Sequence, residues 1–264
     1  MMAGRLQDRV ALITGGGSGM GRAAAIRFAE EGAPVAVVDV IEEAARETAG
    51  LVEAAGGTAL PLRADVTVEA DVQRVVAATL DRFGRVDVLL ANAGIEGPVT
   101  FIAEVSEDEW DRVMAVNVKG VFLAVKHCIP PMQRQGGGSI VITASNSGLV
   151  AFPNLAPYCA SKGASLMFTK ALAVDLAPHN IRVNAVCPGN VDTPMLRRAV
   201  SGWSGGAEET LKSLGRLASA REVANLMLFL ASDEAAHMTG SAVVIDYGET
   251  ASPGPVWPSP RYYT

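Results

Sequence analysis

The chain has 264 residues, 49% of them hydrophobic, which is enough for one large core within a single α/β domain. A formal charge of −6 and a pI of about 5.2 argue against a nucleic-acid partner, since phosphate binding needs clustered Lys and Arg and no basic block exceeds Arg197-Arg198. The opening residues 1–9 carry no signal-peptide core, and the apolar run after them is too short to span a bilayer. The expectation is therefore a soluble, cytoplasmic protein without a membrane partner. Three widely spaced cysteines (Cys128, Cys159, Cys187) give neither a disulfide framework nor a zinc pattern. They read as small buried apolar residues, the three histidines are scattered, and no metal site is expected.

In chain order, apolar β-branched runs at 10–14, 35–40, 58–62, 86–91, 139–143, 182–186 and 242–246 predict seven strands. Several lack period-two alternation, as expected for strands covered on both faces. The intervening stretches, among them 19–31, 42–55 and 69–83, carry apolar residues at three- and four-residue steps and read as helices. Alternating strands and helices predict an α/β fold: a single-domain, Rossmann-like, doubly wound parallel sheet with helices on both faces. Residues 1–251 form that domain. Residues 252–264, with four prolines and Trp257, Tyr262 and Tyr263, read as a tail, because such a segment suits neither a regular helix nor a central strand.

Strand one runs into Thr14-Gly15-Gly16-Gly17-Ser18-Gly19-Met20-Gly21, and a helix follows. A glycine turn there lets the backbone approach a pyrophosphate, which the helix N-terminus attracts with its free N–H groups. The spacing of Gly15, Gly19 and Gly21 differs from G-x-G-x-x-G, so the strand-turn-helix context carries the reading. Asp39, at the end of strand two, suits the adenosine ribose hydroxyls and repels a 2′-phosphate. The places where a 2′-phosphate reader would stand hold Ser18, Val40 and Ile41. Arg22 lies within the helix, and NAD is favoured over NADP. Asp65-Val66 and Asn92-Ala93-Gly94 follow strands three and four, where open α/β sheets bind ligands. Asp65 suits the adenine amino group, whereas Asn92 is equally suited to fixing its loop.

Tyr158 and Lys162 stand four apart on a predicted helix, side by side on one face. A phenol has an ordinary pKa near ~10, and a neighbouring cation lowers it, which suits a general acid–base group. Ser145 follows strand five, and Asn117 lies on an earlier helix. With Thr14–Gly21, Asp39, Asp65, Asn92–Gly94 and Pro188-Gly189, these residues make a sequence that resembles the short-chain dehydrogenase/reductase family from Arg9 to about Gly248.

The resemblance implies that Tyr158 exchanges a proton with the substrate oxygen, while Lys162 holds the nicotinamide ribose and lowers the tyrosine pKa. It further implies that Ser145 holds the substrate oxygen and Asn117 positions a water leading to Lys162. Pro188, Gly189, Val191 and Thr193 would shape the nicotinamide end, with Met20, Val66, Ala93 and Gly94 among the cofactor contacts. Two positions depart from the family pattern, Ala91 before Asn92 and Tyr247 in Asp246-Tyr247-Gly248. Ser147 is a rival hydroxyl, and Ser145 is preferred because it lies nearer the strand end.

The segment 191–217 is expected to cover the substrate with Met195, Leu196, Val200, Trp203, Leu211 and Leu214, around a flexible Ser204-Gly205-Gly206. Glu96, Asn146, Leu149 and Phe152 are further candidate lining positions. The expected reaction moves a hydride between NAD and a hydrophobic or cyclic secondary alcohol or ketone. Two alternatives are an NADP-linked ketone or 3-oxoacyl reductase and a non-catalytic dinucleotide sensor. The resemblance also implies a homotetramer, with 154–177 and 221–246 as interface elements, and Trp257 is a candidate anchor on a neighbouring subunit.

Overall fold

The computed structural model describes residues 4–201, 208, 214 and 216–251. The positions Trp203, Ser204, Gly205, Gly206 and Leu211, together with residues 252–264 including Trp257, lie outside the described residues.

Seven parallel strands form the sheet: β1 (Ala11–Thr14), β2 (Val35–Asp39), β3 (Ala59–Arg63), β4 (Val88–Ala91), β5 (Gly138–Thr143), β6 (Ile181–Pro188) and, last in the chain, β9 (Ala242–Ile245). Their order is β3-β2-β1-β4-β5-β6-β9, and every neighbouring pair is parallel. Two short strands, β7 (Val191–Asp192) and β8 (Ala218–Ser219), pair separately. The helices are α1 (Gly19–Glu30), α2 (Glu42–Ala54), α3 (Glu69–Phe83), α4 (Glu107–Met114), α5 (Gly120–Arg134), α6 (Ala156–Leu176), α7 (Pro194–Ser201) and α8 (Ala220–Ala231).

The pleat explains why the central strands are apolar throughout. Ala11 and Ile13 of β1 face α1 and α8, where Phe28, Met227 and Leu228 fill one core. Leu12, one residue out of phase, faces the opposite layer with Val125 of α5 and Leu172 of α6. The helical run Glu107–Arg134 has the length and apolar content of a membrane span, yet α5 packs against β4, β5 and α3. Its hydrophobicity is that of a core helix.

Strand limits shift slightly from expectation. Val40 leaves β2 and turns more than half exposed to solvent, because Asp39 is the last residue paired with β3. At the other edge, β6 continues to Pro188, since its pairing with β9 extends to Ile245. The chain leaves β1 toward β2 and leaves β4 toward β5, on opposite sides. The carboxyl ends of β1 and β4 therefore flank the crevice where such sheets take ligands.

Candidate active site

A cleft of about 550 Å³ opens at that switch point. Gly15, Ser18, Gly19, Met20, Asp39, Asp65, Val66, Asn92, Ala93, Gly94 and Thr193 all line it. The glycine turn is shaped for close approach. A Cβ on Gly15 would lie 2.8 Å from the Ala93 Cα, and Gly15 and Gly19 both have positive φ. Gly21 does not line the cleft; a Cβ there would lie 2.0 Å from the Gly15 carbonyl oxygen, so this glycine seats α1 under the turn. Ser18 caps α1 without a side-chain hydrogen bond, leaving the helix's first N–H groups available to an anion. The cleft therefore fits a dinucleotide pyrophosphate.

Asp39 shapes the far end. Its two carboxylate oxygens accept from Gly17 N at 2.9 Å and Ile41 N at 3.0 Å, which leaves further lone pairs toward the cleft. Arg22 turns away. It donates to the Gly17 carbonyl and pairs with Glu47 at 2.7 Å. Asp65 closes its own turn by accepting from Thr67 N and Oγ1. Asn92, for which fixing the loop and binding were equally expected, ties the site together. It donates to the carbonyls of Thr14 and Gly15 and accepts from Thr143 Oγ1, joining β1, β4 and β5.

At the head of the cleft, Tyr158 and Lys162 share one face of α6, with the Lys162 Nζ 5.6 Å from the centre of the tyrosine ring. The buried ammonium donates to the Thr143 carbonyl at 2.8 Å. Burial lowers Lys162 to about 8. The expected lowering of Tyr158 is reversed: burial pushes it up to about 12, against the hydrogen bond from Ser145, and the Glu96 charge adds to the rise. Desolvation of the phenolate is the largest cause of the rise.

Ser145 and Ser147 are both buried beside Tyr158. Ser145 Oγ accepts from Ser147 N at 3.1 Å and donates to Asn146 Oδ1 at 3.2 Å. Asn117 sits in a π-helical turn, Ala115–Lys119, where α4 passes into α5. Its amide accepts from Ile95 N, donates to the Ile95 carbonyl and also donates to Ser161 Oγ. The side chain thus fastens the loop after β4 to α6. A Cβ on Gly94 would stand 3.2 Å from Asn117 Oδ1 and 3.6 Å from Lys162 Nζ, so these three residues meet.

Beside Tyr158 lies a second pocket of about 170 Å³, continuous with the cleft through Met20, Thr193 and Met195. Pro188, Gly189 and Val191 line it, as do Met195, Leu196, Val200 and Leu214 of the segment expected to cover the substrate. Glu96, Asn146 and Phe152 line it too. Leu149 does not: it is 45% exposed, on the outer side of the short helical turn Asn146–Gly148. Of the cysteines, Cys128 and Cys187 are buried, whereas Cys159 is only partly so, being on the outward side of α6.

Glu249 escaped the sequence reading. It accepts from Asn146 Nδ2 at 2.9 Å, which connects the C-terminal turn to Ser145 through one amide. Asp246 builds that turn by accepting from Gly248 N, Thr250 N and Thr250 Oγ1. The only local signal was the departure at Tyr247, whose positive φ of 56° belongs to the same turn.

Comparison with known proteins agrees with this geometry. The model of the family described as enoyl-(acyl carrier protein) reductase matches residues 15–250. Cyclopentanol dehydrogenase of Comamonas sp. is 43% identical over 250 residues, covering 94% of this chain and all of that one. The crystal structure of levodione reductase superposes with a TM-score of 0.90 at 38% identity, covering 94% of this chain and 99% of its own. Carveol dehydrogenase from Mycobacterium avium, solved in complex with NAD, gives 0.89 at 31% identity over 94% and 100%.

The chain belongs to the short-chain dehydrogenase/reductase family. It is an oxidoreductase that exchanges hydride between a nicotinamide dinucleotide and an alcohol or ketone carbon.

Proposed function

We propose that this chain is an NAD-dependent dehydrogenase/reductase of a neutral, hydrophobic or cyclic secondary alcohol and its ketone. The observation that carries the reading is the meeting of Ser145, Tyr158 and Lys162 at the head of a cleft whose other end holds Asp39. The preference for NAD rests on charge. Asp39 is an acceptor at the ribose end, and Arg22, close to the glycine turn in sequence, is bound to Glu47 and Gly17.

In alcohol oxidation, Tyr158 takes the hydroxyl proton onto its phenolate oxygen, and Ser145 turns its O–H to the same substrate oxygen. Asn117 holds Ile95 against that end of the cleft, and Lys162 is anchored on the Thr143 carbonyl. The bound nicotinamide ring supplies the acceptor for the carbinol hydrogen and its two electrons, leaving a carbonyl. In reduction Tyr158 returns its proton to the oxygen. Asn146 positions Ser145, since its Oδ1 is the resting acceptor for the serine hydroxyl. Pro188, Gly189, Val191 and Thr193 bound the nicotinamide end.

The protein acts as a cytoplasmic homotetramer in this reading. The support is a set of apolar residues left exposed on adjacent helices: Phe122 of α5 and Met167 and Val174 of α6. The primary test is initial rates with NAD and NADP over a panel of secondary alcohols. At ~5 Å a unit charge opposed to Asp39 is worth several kcal/mol, so kcat/KM should favour NAD by about 100-fold. Equal use of the two cofactors would refute the assignment.

A further inference from the structure

The substrate pocket contains two carboxylates and, among its described lining residues, no lysine, arginine or histidine. Glu96 enters from the loop after β4 and Glu249 from the turn after β9, so the pair comes from two distant parts of the chain. Both are partly buried. Glu249 uses a single oxygen, Oε2, for Asn146 at 2.9 Å and Asn190 at 3.5 Å. Its Oε1 has no hydrogen-bond partner among the described residues, and neither oxygen of Glu96 has one. Cations stand outside this pocket: Arg198, which draws Glu96 electrostatically, and Arg112 line the cofactor cleft and an adjoining pocket that Glu96 also borders, and Arg216 shares another with Glu249.

An ionised carboxylate can only accept hydrogen bonds, and among the described residues no buried side-chain oxygen lacks a partner, so the free oxygens of Glu96 and Glu249 are open to solvent and to a ligand in the pocket. A ligand that brings O–H groups donates to them. A ligand that brings its own negative charge meets two like charges within a small space bounded by protein, where repulsion is screened less than in bulk water. Burial raises the pKa of both glutamates.

We propose that Glu96 and Glu249 select uncharged substrates carrying a second hydroxyl, namely diols, polyols and hydroxyketones, and reject substrates bearing carboxylate, sulfonate or phosphate. The selection rests on the alcohol/ketone reading above and deepens it. Apolar cover from Met195, Leu196 and Val200 handles the carbon frame, while the carboxylates read the hydroxyl beyond the reacting carbon. Glu249 reports to Ser145 through Asn146, so occupancy of its free oxygen is coupled to the residue that holds the reacting oxygen.

The experiment uses the full chain with NAD and three matched substrates: cyclohexane-1,4-diol, cyclohexanol and 4-hydroxycyclohexanecarboxylate. Quenching of bound NADH fluorescence by the three corresponding ketones gives a second readout that needs no turnover. We expect kcat/KM for the diol to exceed that for cyclohexanol by about tenfold and that for the carboxylate by about 100-fold. Glu96→Gln and Glu249→Gln should each narrow the diol-to-carboxylate ratio by about tenfold, both in rates and in quenching. Similar kcat/KM for all three substrates, or ratios unmoved in both variants, would overturn the proposal. No oxidation of any neutral alcohol with either cofactor would instead overturn the alcohol reading, and the quenching ratios would still decide the charge preference.

Discussion

The two halves of the site are built by different means. The cofactor cleft is made largely of backbone: a glycine turn, a helix N-terminus and strand ends, with Asn92 pinning three strands around it. The substrate pocket is made of side chains from loops far apart in sequence, with α7 laid over them. Backbone construction tolerates almost no change of residue but binds one conserved shape. Side-chain construction allows each wall to vary independently, which is how one fold serves many substrates.

The largest expected effect falls where the halves meet. Tyr158→Phe keeps the ring and removes the proton carrier, so kcat should drop by about 10³-fold or more while NADH still binds. Retention of kcat within tenfold would dissociate Tyr158 from the chemistry. Next comes the backbone half. Gly21→Val would press a side chain on the Gly15 carbonyl, and we expect dinucleotide affinity to fall by about 100-fold or more in calorimetry, with the far-ultraviolet circular dichroism preserved. Unchanged affinity would show that the turn can give way.

The side-chain half should respond more gently. Oxidation needs the phenolate, so with the phenol near 12 its kcat/KM should climb through neutral and alkaline pH, while ketone reduction, which needs the phenol, stays level there. The groups around the phenol are Ser145, Glu96, Cys159 and Lys162. Glu96→Gln removes a negative charge that disfavours the phenolate, so the rise should move to lower pH. A rise that stays in place or moves up would contradict that coupling. Smallest of all is Asn146→Ala. Loss of one neutral hydrogen bond on Ser145, about 1 kcal/mol, should lower kcat about fivefold and leave the NAD KM alone. An effect confined to NAD binding would place Asn146 with the cleft instead.

The same contrast decides what could be read from the chain. The strands, the glycine turn, Asp39 and the Tyr158–Lys162 pair depend on short-range spacing, and local patterning exposes them. The seven-strand sheet follows from the alternation of elements. What stayed hidden depends on contacts across long stretches of sequence. Glu249 reaches Asn146 across 103 residues, and nothing near either marks the other. Leu149 was placed in the pocket by its nearness to Ser145, but the short turn at Asn146–Gly148 carries it outward. The π turn that sets Asn117 has no distinct local pattern, and the rise in the Tyr158 pKa follows from burial, which only the packed molecule defines.

Glu249 lies four residues after Ile245, where the last strand of the sheet ends. Mutations there leave the catalytic strand-and-helix framework intact while altering a wall of the chamber. Drift in this turn is therefore a short route to new selectivity. For the bench, libraries at residues 247–251 that keep Asp246, which builds the turn, would sample substrate choice.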